Sequence, residues 1–373
     1  MQEPDAVVIG AGPAGSTAAI LLARARKRVV LMEKETAAHD KVCGEFISSA
    51  AAARLHDLGI DLTSLGASEI KRLRLVDGRD VVESILPDPA FSLSRRVLDE
   101  ALMGEAAIAG AEIRRGANVT GLNRNARWSV QIGGGDVVLT DTVFLASGKH
   151  DVRGWPRRRL TGDDFIGFKM HFRLDEAQQR ALGDAVEMIF LDEGYAGLEP
   201  MEEGRTNLCF VVRKKVFAAC GKDWPALLRW LMKQSPHLAG RLNGAEPRWP
   251  RPLAIYGVPY GYHYRAKCAP GLYRLGDQLA VIPSFAGEGL SLAFHSAFAA
   301  AENCLGGTDR YYQDMASALR APLQLAGIGG SVLSSPVGRG AAFSMLRAVP
   351  ALLPHAINST RLHSAVVSHP VGE

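Results

Sequence analysis

Two rhythms of apolar and polar positions run along this chain. At its start an unbroken apolar run, residues 6–9, precedes a glycine-rich segment at 10–15; an alanine-rich stretch then leads to a second apolar run at 29–32, closed by Glu33. Short apolar runs of this kind suit strands buried on both faces, and the stretch between them suits a helix, so a strand–helix–strand unit is predicted. Helical spacing recurs at 49–65 and at 95–110, where Leu98, Ala101, Leu102 and Ala106 share one side. Short strands are predicted at 118–122, 128–132, 137–139 and 142–146, with the run from Gly133 to Asp136 as the hairpin turn between the second and third. Longer strand-like pieces at 167–174, 186–191 and 207–212 point to an antiparallel sheet. A helix is predicted at 224–234 and a strand at 253–258; the chain then returns to a strand at 272–276 and a small-residue helix at 289–305. Beyond Arg310 the pattern is helical and apolar, and Pro322, Gly327, Gly329, Gly330, Pro336, Pro350 and Pro354 are expected to break it into short pieces.

The first unit has the chemistry of a dinucleotide cradle. Gly10 permits the tight turn leaving the strand, Gly12 lets backbone approach a pyrophosphate, and Gly15 lets the helix pack on the strand. The helix begins at Pro13 and Ala14, and its unpaired N–H groups and positive dipole end face the phosphates, while Glu33 accepts bonds from ribose hydroxyls. These features serve NAD and FAD equally well. A second signal lies far along the chain, where Gly276-Asp277 ends a strand and the loop from Pro283 through Gly287, Glu288 and Gly289 opens onto a helix at Leu290. There Asp277 suits ribityl hydroxyls, and the loop N–H groups suit the edge of a flavin ring where negative charge gathers on reduction.

With 373 residues, 47% hydrophobic and 22% charged, the chain has the composition of a globular protein of about two domains. A net charge of +4 makes no case for nucleic-acid binding. The five cysteines are scattered, with no C-x-x-C pair, which argues against a disulfide framework or a metal centre. No signal peptide and no transmembrane segment is expected, so the predicted location is cytoplasmic.

Three separated motifs make the chain resemble the FAD-dependent group that includes p-hydroxybenzoate hydroxylase, flavin-dependent halogenases and geranylgeranyl reductases. They are residues 10–15 with Glu33, Arg95 within Leu93-Ser94-Arg95-Arg96-Val97-Leu98-Asp99, and Gly276-Asp277 with residues 283–289. The segment Lys41-Val42-Cys43-Gly44-Glu45-Phe46 is similar to a Lys-Pro-Cys-Gly-Gly/Glu segment of the reductase and halogenase branches that lies beside the flavin. The resemblance implies FAD contacts by Lys41, Cys43, Gly44 and Arg95, besides the residues of the two glycine-rich loops, and extends them to Lys34 and Val119. It implies an α/β fold: a Rossmann-like FAD-binding domain of glutathione-reductase type (1–78, 93–158, 268–308), an inserted antiparallel-sheet substrate domain (79–92, 159–267) and a helical C-terminal region (309–373).

Several positions depart from the family pattern. Leu145-Ala146-Ser147-Gly148-Lys149 stands where Gly-Ala-Asp-Gly is usual, so the electron donor is either NAD(P)H or a reductase partner. The halogenase Trp-x-Trp-x-Ile-Pro signature is absent, and Gly194-Tyr195-Ala196-Gly197-Leu198-Glu199-Pro200 is closer to the reductase pattern Tyr-x-Trp-x-Phe-Pro. The expected activity is hydroxylation of an apolar aromatic or polyketide-like molecule through a flavin C4a-hydroperoxide. Double-bond reduction and non-catalytic flavin binding are the alternatives. Lys169 and His171, on one face of a strand, are the candidate catalytic pair, and Tyr195, Glu199, Tyr256, Tyr260 and Tyr262 the candidate substrate wall. The basic run Arg153, Arg157, Arg158 and Arg159 is a candidate dock for an acidic carrier protein or a NADPH phosphate, and the C-terminal helices are expected to cap the cavity.

Overall fold

In the computed structural model, residues 3–157, 164–265 and 269–362 are described. The chain opens with β1 (Ala6–Ile9), α1 (Pro13–Arg24), β2 (Val29–Glu33), β3 (Phe46–Ile47), α2 (Ser49–Asp57), β4 (Ser68–Asp77), β5 (Asp80–Ser92), α3 (Arg95–Ile108) and β6 (Glu112–Arg115). Strands β7 (Val119–Arg124), β8 (Trp128–Ile132), β9 (Val137–Thr140), β10 (Thr142–Leu145) and β11 (Phe165–Arg173) come next, then α4 (Glu176–Leu182), β12 (Ala185–Leu191), β13 (Gly194–Pro200) and β14 (Thr206–Arg213). After α5 (Lys214–Ala219), α6 (Trp224–Gln234) and α7 (Pro236–Arg241) come β15 (Glu246–Pro247), β16 (Leu253–Tyr256) and β17 (Leu272–Arg274). The chain closes with α8 (Gly289–Gly306), α9 (Tyr311–Leu333), α10 (Pro336–Ala348) and α11 (Leu352–Thr360).

A parallel five-stranded sheet in the order β17-β10-β1-β2-β6 forms the first half. Every residue of β1 and β2 is buried, as strands covered on both faces require. Helix α1 lies close because its third residue is Gly15: a Cβ there would stand 1.8 Å from the Gly10 carbonyl oxygen. One face of this sheet packs on α1, α3 and α8 through Ala18, Leu22, Leu31, Leu98, Leu102 and Phe294. Its other face meets the three-stranded sheet β7-β8-β9 around the fully buried Trp128.

The second half is a nine-stranded sheet, β15-β11-β14-β13-β12-β4-β5-β3 with β16 also on β11, antiparallel except where β12 runs parallel to β4. One of its faces is apolar, with Phe168, Met170, Leu198 and Phe210 packed on Leu227, Leu231 and Leu238 of α6 and α7. The opposite face is shared. Its β11-β14-β13 part meets the Cys43–Gly44 segment, and its β12-β4-β5 part is covered by the C-terminal helices through Leu75, Phe190, Phe343, Leu346 and Leu353.

Four expectations need correction. The boundary placed at residue 78 cuts a hairpin: β4 and β5 pair along their length and both lie in the large sheet. The helix expected at 49–65 stops at Asp57. The strand expected at 253–258 stops at Tyr256, so Tyr260 and Tyr262 lie beyond its end. Region 311–333 is one helix that contains Pro322, because Met315, Leu319, Pro322 and Ala326 bury one stripe of it; burying that stripe outweighs the roughly 3 kcal/mol that an internal proline costs. Among the described residues no helix is long and apolar enough to cross a membrane.

Candidate functional site

The first glycine-rich turn is shaped by backbone. Gly10 has φ +97°, and a Cβ there would come 2.5 Å from the Ala146 carbonyl oxygen. Gly12 caps α1 with no side-chain bond to the helix's first N–H groups, Pro13 follows, and no acidic residue stands in the first turn. The positive end of α1 is thereby left open to an anion. Arg95 flanks it, its Nη2 lying 3.3 Å from where a Gly12 Cβ would be. That guanidinium is set by Asp99, which takes it at 2.8 and 2.9 Å and also takes Lys41 Nζ at 2.9 Å. A narrow crevice runs past Glu33, His39, Lys41, Arg95, Asp99 and Arg115. The Glu33 carboxylate is buried and accepts from the N–H of Ala11 (3.0 Å) and of Glu35 (3.1 Å). Lys34 is exposed and pairs with Glu35, and Val119 begins β7 opposite Ile132.

The distant glycine-rich loop converges on the same place. Ser48 and Ser291 hydroxyls meet at 2.8 Å, and a Cβ on Gly287 (φ +69°) would stand 3.0 Å from the Phe46 ring. Gly289 begins α8, and Glu288 caps it without a side-chain bond to the helix; the Glu288 carboxylate instead accepts from the Leu362 N–H. Leu290 is buried beneath, Pro283 leads into the loop, and Gly276 and Asp277 form a single 3-10 turn with Gln278. Two uncapped helix starts, glycine-lined backbone, a buried carboxylate at a strand end and an arginine beside the first turn fit the pyrophosphate, ribose and ring of FAD. Lys149, in the segment that departs from the family pattern, holds the Val42 carbonyl at 2.6 Å. Arg157 is not a surface cation: it bonds Asp151 and the carbonyls of Lys149 and Asp277. Arg158 and Arg159 lie outside the described residues.

Pairing register puts Gly167, Lys169 and His171 of β11, Asn207, Cys209 and Val211 of β14, and Tyr195, Gly197 and Glu199 of β13 on one face. Lys169 and His171 do sit together, but both are fully buried, and both grip Glu45: Lys169 Nζ donates at 2.5 Å and His171 Nε2 pairs at 2.9 Å. The Arg95 N–H adds a third bond to that carboxylate at 2.7 Å. The structure thus brings the expected pair together as a clamp on the Cys43–Glu45 segment. Asn207 completes it by donating to the carbonyls of Cys43 and Gly44. Burial pushes the Glu45 carboxyl up, but the His171 bond and the Lys169 charge outweigh it and hold it below the usual range. Asp40, Glu45 and His171 bring ligand-type atoms within 4.8 Å of one another, yet the Lys169 ammonium occupies that cluster and supplies the positive charge itself. Glu45 was missed as a site residue because its partners lie 50 to 126 positions away; its φ of +62° is visible only in the fold.

Nearer the distant loop, the Ser284 hydroxyl meets Tyr195 Oη at 2.5 Å and Tyr260 Oη at 2.8 Å, with Phe285 edge-on to Tyr195. Burial pushes both phenols up, Tyr260 the further. Glu199 is 2% exposed; burial first, and the Glu45 charge second, push its carboxyl well above the usual range. Burial drives the Cys209 thiol up to about 12. Tyr256 does not belong to this wall. It pairs with Ile166 on the opposite face of the sheet and is 61% exposed. Tyr262 is buried against Val258 and Val281.

Residues 3–129 match the family described as FAD binding domain. Menaquinone reductase of Mycobacterium tuberculosis is 26% identical over 369 residues, covering 94% of this chain and 84% of that protein. Digeranylgeranylglycerophospholipid reductase of Methanothrix thermoacetophila is 40% identical over 115 residues, 29% of each chain. Among solved structures, the flavin-dependent brominase Bmp2 superposes with a TM-score of 0.81 at 19% identity, covering 96% of this chain and 93% of that one. The myxobacterial chondrochloren halogenase CndH gives 0.75 at 18%, covering 97% and 91%.

Proposed function

We propose that this chain, an FAD-dependent oxidoreductase built on the FAD binding domain matched at residues 3–129, reduces an activated double bond in an apolar small molecule. The observation that carries this reading is the hydroxyl chain Tyr195–Ser284–Tyr260 at the loop fitted to the flavin ring. Saturating a double bond needs a hydride on one carbon and a proton on the other. Bound FAD, once reduced, supplies the hydride. Burial keeps the two phenols protonated, so Tyr260, relayed by Ser284, is placed to give the proton. The apolar positions Met188, Phe190 and Phe343 adjoin Tyr195 and offer a water-free wall for the rest of the molecule. Two relatives, one matching over 94% of the chain and one 40% identical over 115 residues, are named as reductases, which supports reduction over the hydroxylation expected from sequence pattern. Their names also suit an isoprenoid-bearing substrate. NAD(P)H or a reductase partner would restore the electrons.

The test is a single-turnover experiment. Holoprotein reduced with dithionite under argon is mixed with an isoprenoid quinone, and the product is weighed by mass spectrometry. Return of the oxidised-flavin spectrum with a gain of two hydrogens that persists after the quinol ring has been reoxidised in air is the expected result. A product that forms only when oxygen is admitted, and carries one atom of labelled oxygen, would assign hydroxylation instead and overturn the reading.

A further inference from the structure

Three successive peptide carbonyls in the segment before β3 are each taken by a side chain from far along the chain. Lys149 Nζ donates to the Val42 carbonyl at 2.6 Å, and Asn207 Nδ2 donates to those of Cys43 and Gly44 at 3.3 and 2.9 Å. Asn207 is buried on β14, and its amide is held in turn by Glu199, the residue opposite it on β13. Among the described residues no peptide bond is cis, so each N–H points away from the carbonyl of its own peptide plane. With the carbonyls of Cys43 and Gly44 drawn to the sheet, the N–H groups of Gly44 and Glu45 therefore face the other way. That of Glu45 is taken by Cys43 Sγ at 3.3 Å. That of Gly44 has no acceptor among the described residues, and a Cβ on Gly44 would meet nothing within 4 Å.

This outer side is the one that borders the cofactor crevice. The Cys43 thiol is a hydrogen-bond neighbour of the Arg95 guanidinium, whose Nη2 borders Gly12 of the first glycine-rich turn, and Phe46, two residues on from Gly44, lies against Gly287 of the distant loop. A segment whose carbonyls are spent behind it offers only donors in front, so it selects an acceptor. We propose that Asn207 is a positioning residue for the flavin: holding two carbonyls from behind, it turns the Gly44 N–H onto the C4 carbonyl of the ring. Reduction adds negative charge to the ring's carbonyls, and a fixed donor at one of them holds reduced flavin more tightly than oxidised flavin. Asn207 thus raises the reduction potential without touching the cofactor. The proposal rests on FAD binding alone and stands whichever way the double-bond test falls.

Redox titration of the holoprotein under argon, against reference dyes, reads the ratio of affinities for reduced and oxidised FAD. Asn207→Leu, close in size and uncharged but without the amide, is expected to lower that ratio at least tenfold, about 30 mV for a two-electron couple. A residue that merely props up the segment would weaken both forms alike and leave the potential in place. The second readout is the infrared C4=O stretch of oxidised FAD labelled with carbon-13 at C4. It should lie lower in wild-type holoprotein than for the same flavin in an aprotic solvent, and should rise in Asn207→Leu. An unchanged potential in flavin-loaded Asn207→Leu overturns the proposal, and so does a lowered potential with no movement of the band. If Asn207→Leu sheds its flavin, Asn207→Ala, which removes the amide without adding bulk, is judged by the same two readouts. A wild-type band at the aprotic position overturns the proposal without any variant.

Discussion

Gly15 and Gly104 are both helical glycines, and their surroundings set opposite expectations. Gly15→Ala would put a methyl 1.8 Å from the Gly10 carbonyl oxygen, a backbone atom that cannot turn aside, so α1 must retreat from β1. The expected outcome is a flavin-to-protein ratio at least tenfold lower together with a fall in Tm. Gly104→Ala meets nothing within 4 Å on the exposed side of α3 and should raise stability by about 0.5–1 kcal/mol with full flavin content. If Gly15→Ala purified with a full complement of flavin, the close packing ascribed to it would be wrong. These glycines were legible in the sequence because their spacing and their neighbours are local. Glu45 was not. Among the described residues four non-glycines have positive φ, of which Arg26, Glu203 and Lys222 are exposed and Glu45 is buried. A left-handed conformation costs about 1–2 kcal/mol, and here three hydrogen bonds hold it in place.

Between elements, the clamp joins the segment before β3 to β11, and its energetics differ from those of a surface ion pair. Removing one partner leaves a buried charge uncompensated. Glu45→Gln and Lys169→Met are each expected to cost about 3–5 kcal/mol in urea unfolding, and the double variant should cost clearly less than their sum, since neither charge is then stranded. Additive losses would show that the two residues do not act as one unit. Element positions were read from sequence most faithfully where periodicity was strong, as in α6, which spans the predicted residues. The β4–β5 hairpin was missed for a physical reason. Pro87 and Pro89 sit inside β5, and charged residues interrupt both strands, so neither has the alternation by which strands are recognised. Long α9 was divided in expectation because proline is a local signal and burial of a helix face is not.

Across the whole molecule, the large sheet is tied to its helical backing by Glu187, fully buried on β12. It takes Arg74 from β4 and both Arg241 and His237 from α7. Burial pushes its carboxyl up, but the bonds from His237 and Arg241 prevail and bring it down to about 2 from 4.5. A carboxylate lowered by folding contributes stability that is complete above pH 4.5 and drains away as pH falls toward 2. The difference amounts to about 3 kcal/mol in order of magnitude. Chemical unfolding followed from pH 6 to pH 2.5 should therefore show a steep loss that Glu187→Gln, though less stable at neutral pH, largely lacks; parallel curves for the two proteins would refute the assignment. The α/β plan, a parallel sheet beside an antiparallel one, was readable from the motifs, because each sits at a strand end where the fold fixes its place. The sharing of one sheet face between flavin half and C-terminal helices was not, since it depends on strand order. That sharing has a consequence for how the two sides are fastened. Glu45 rivets the rim of the nucleotide half to the sheet from three directions. The helical flank carries a rivet of its own: Arg339 of α10, 4% exposed, pairs with Asp77 of β4 and with Asp192 just past β12, amid apolar contacts and the outer Arg347–Asp80 and Arg361–Asp88 pairs. Both neighbours of the shared face are thus pinned by a charge kept out of water, and prising either one away would strand that charge.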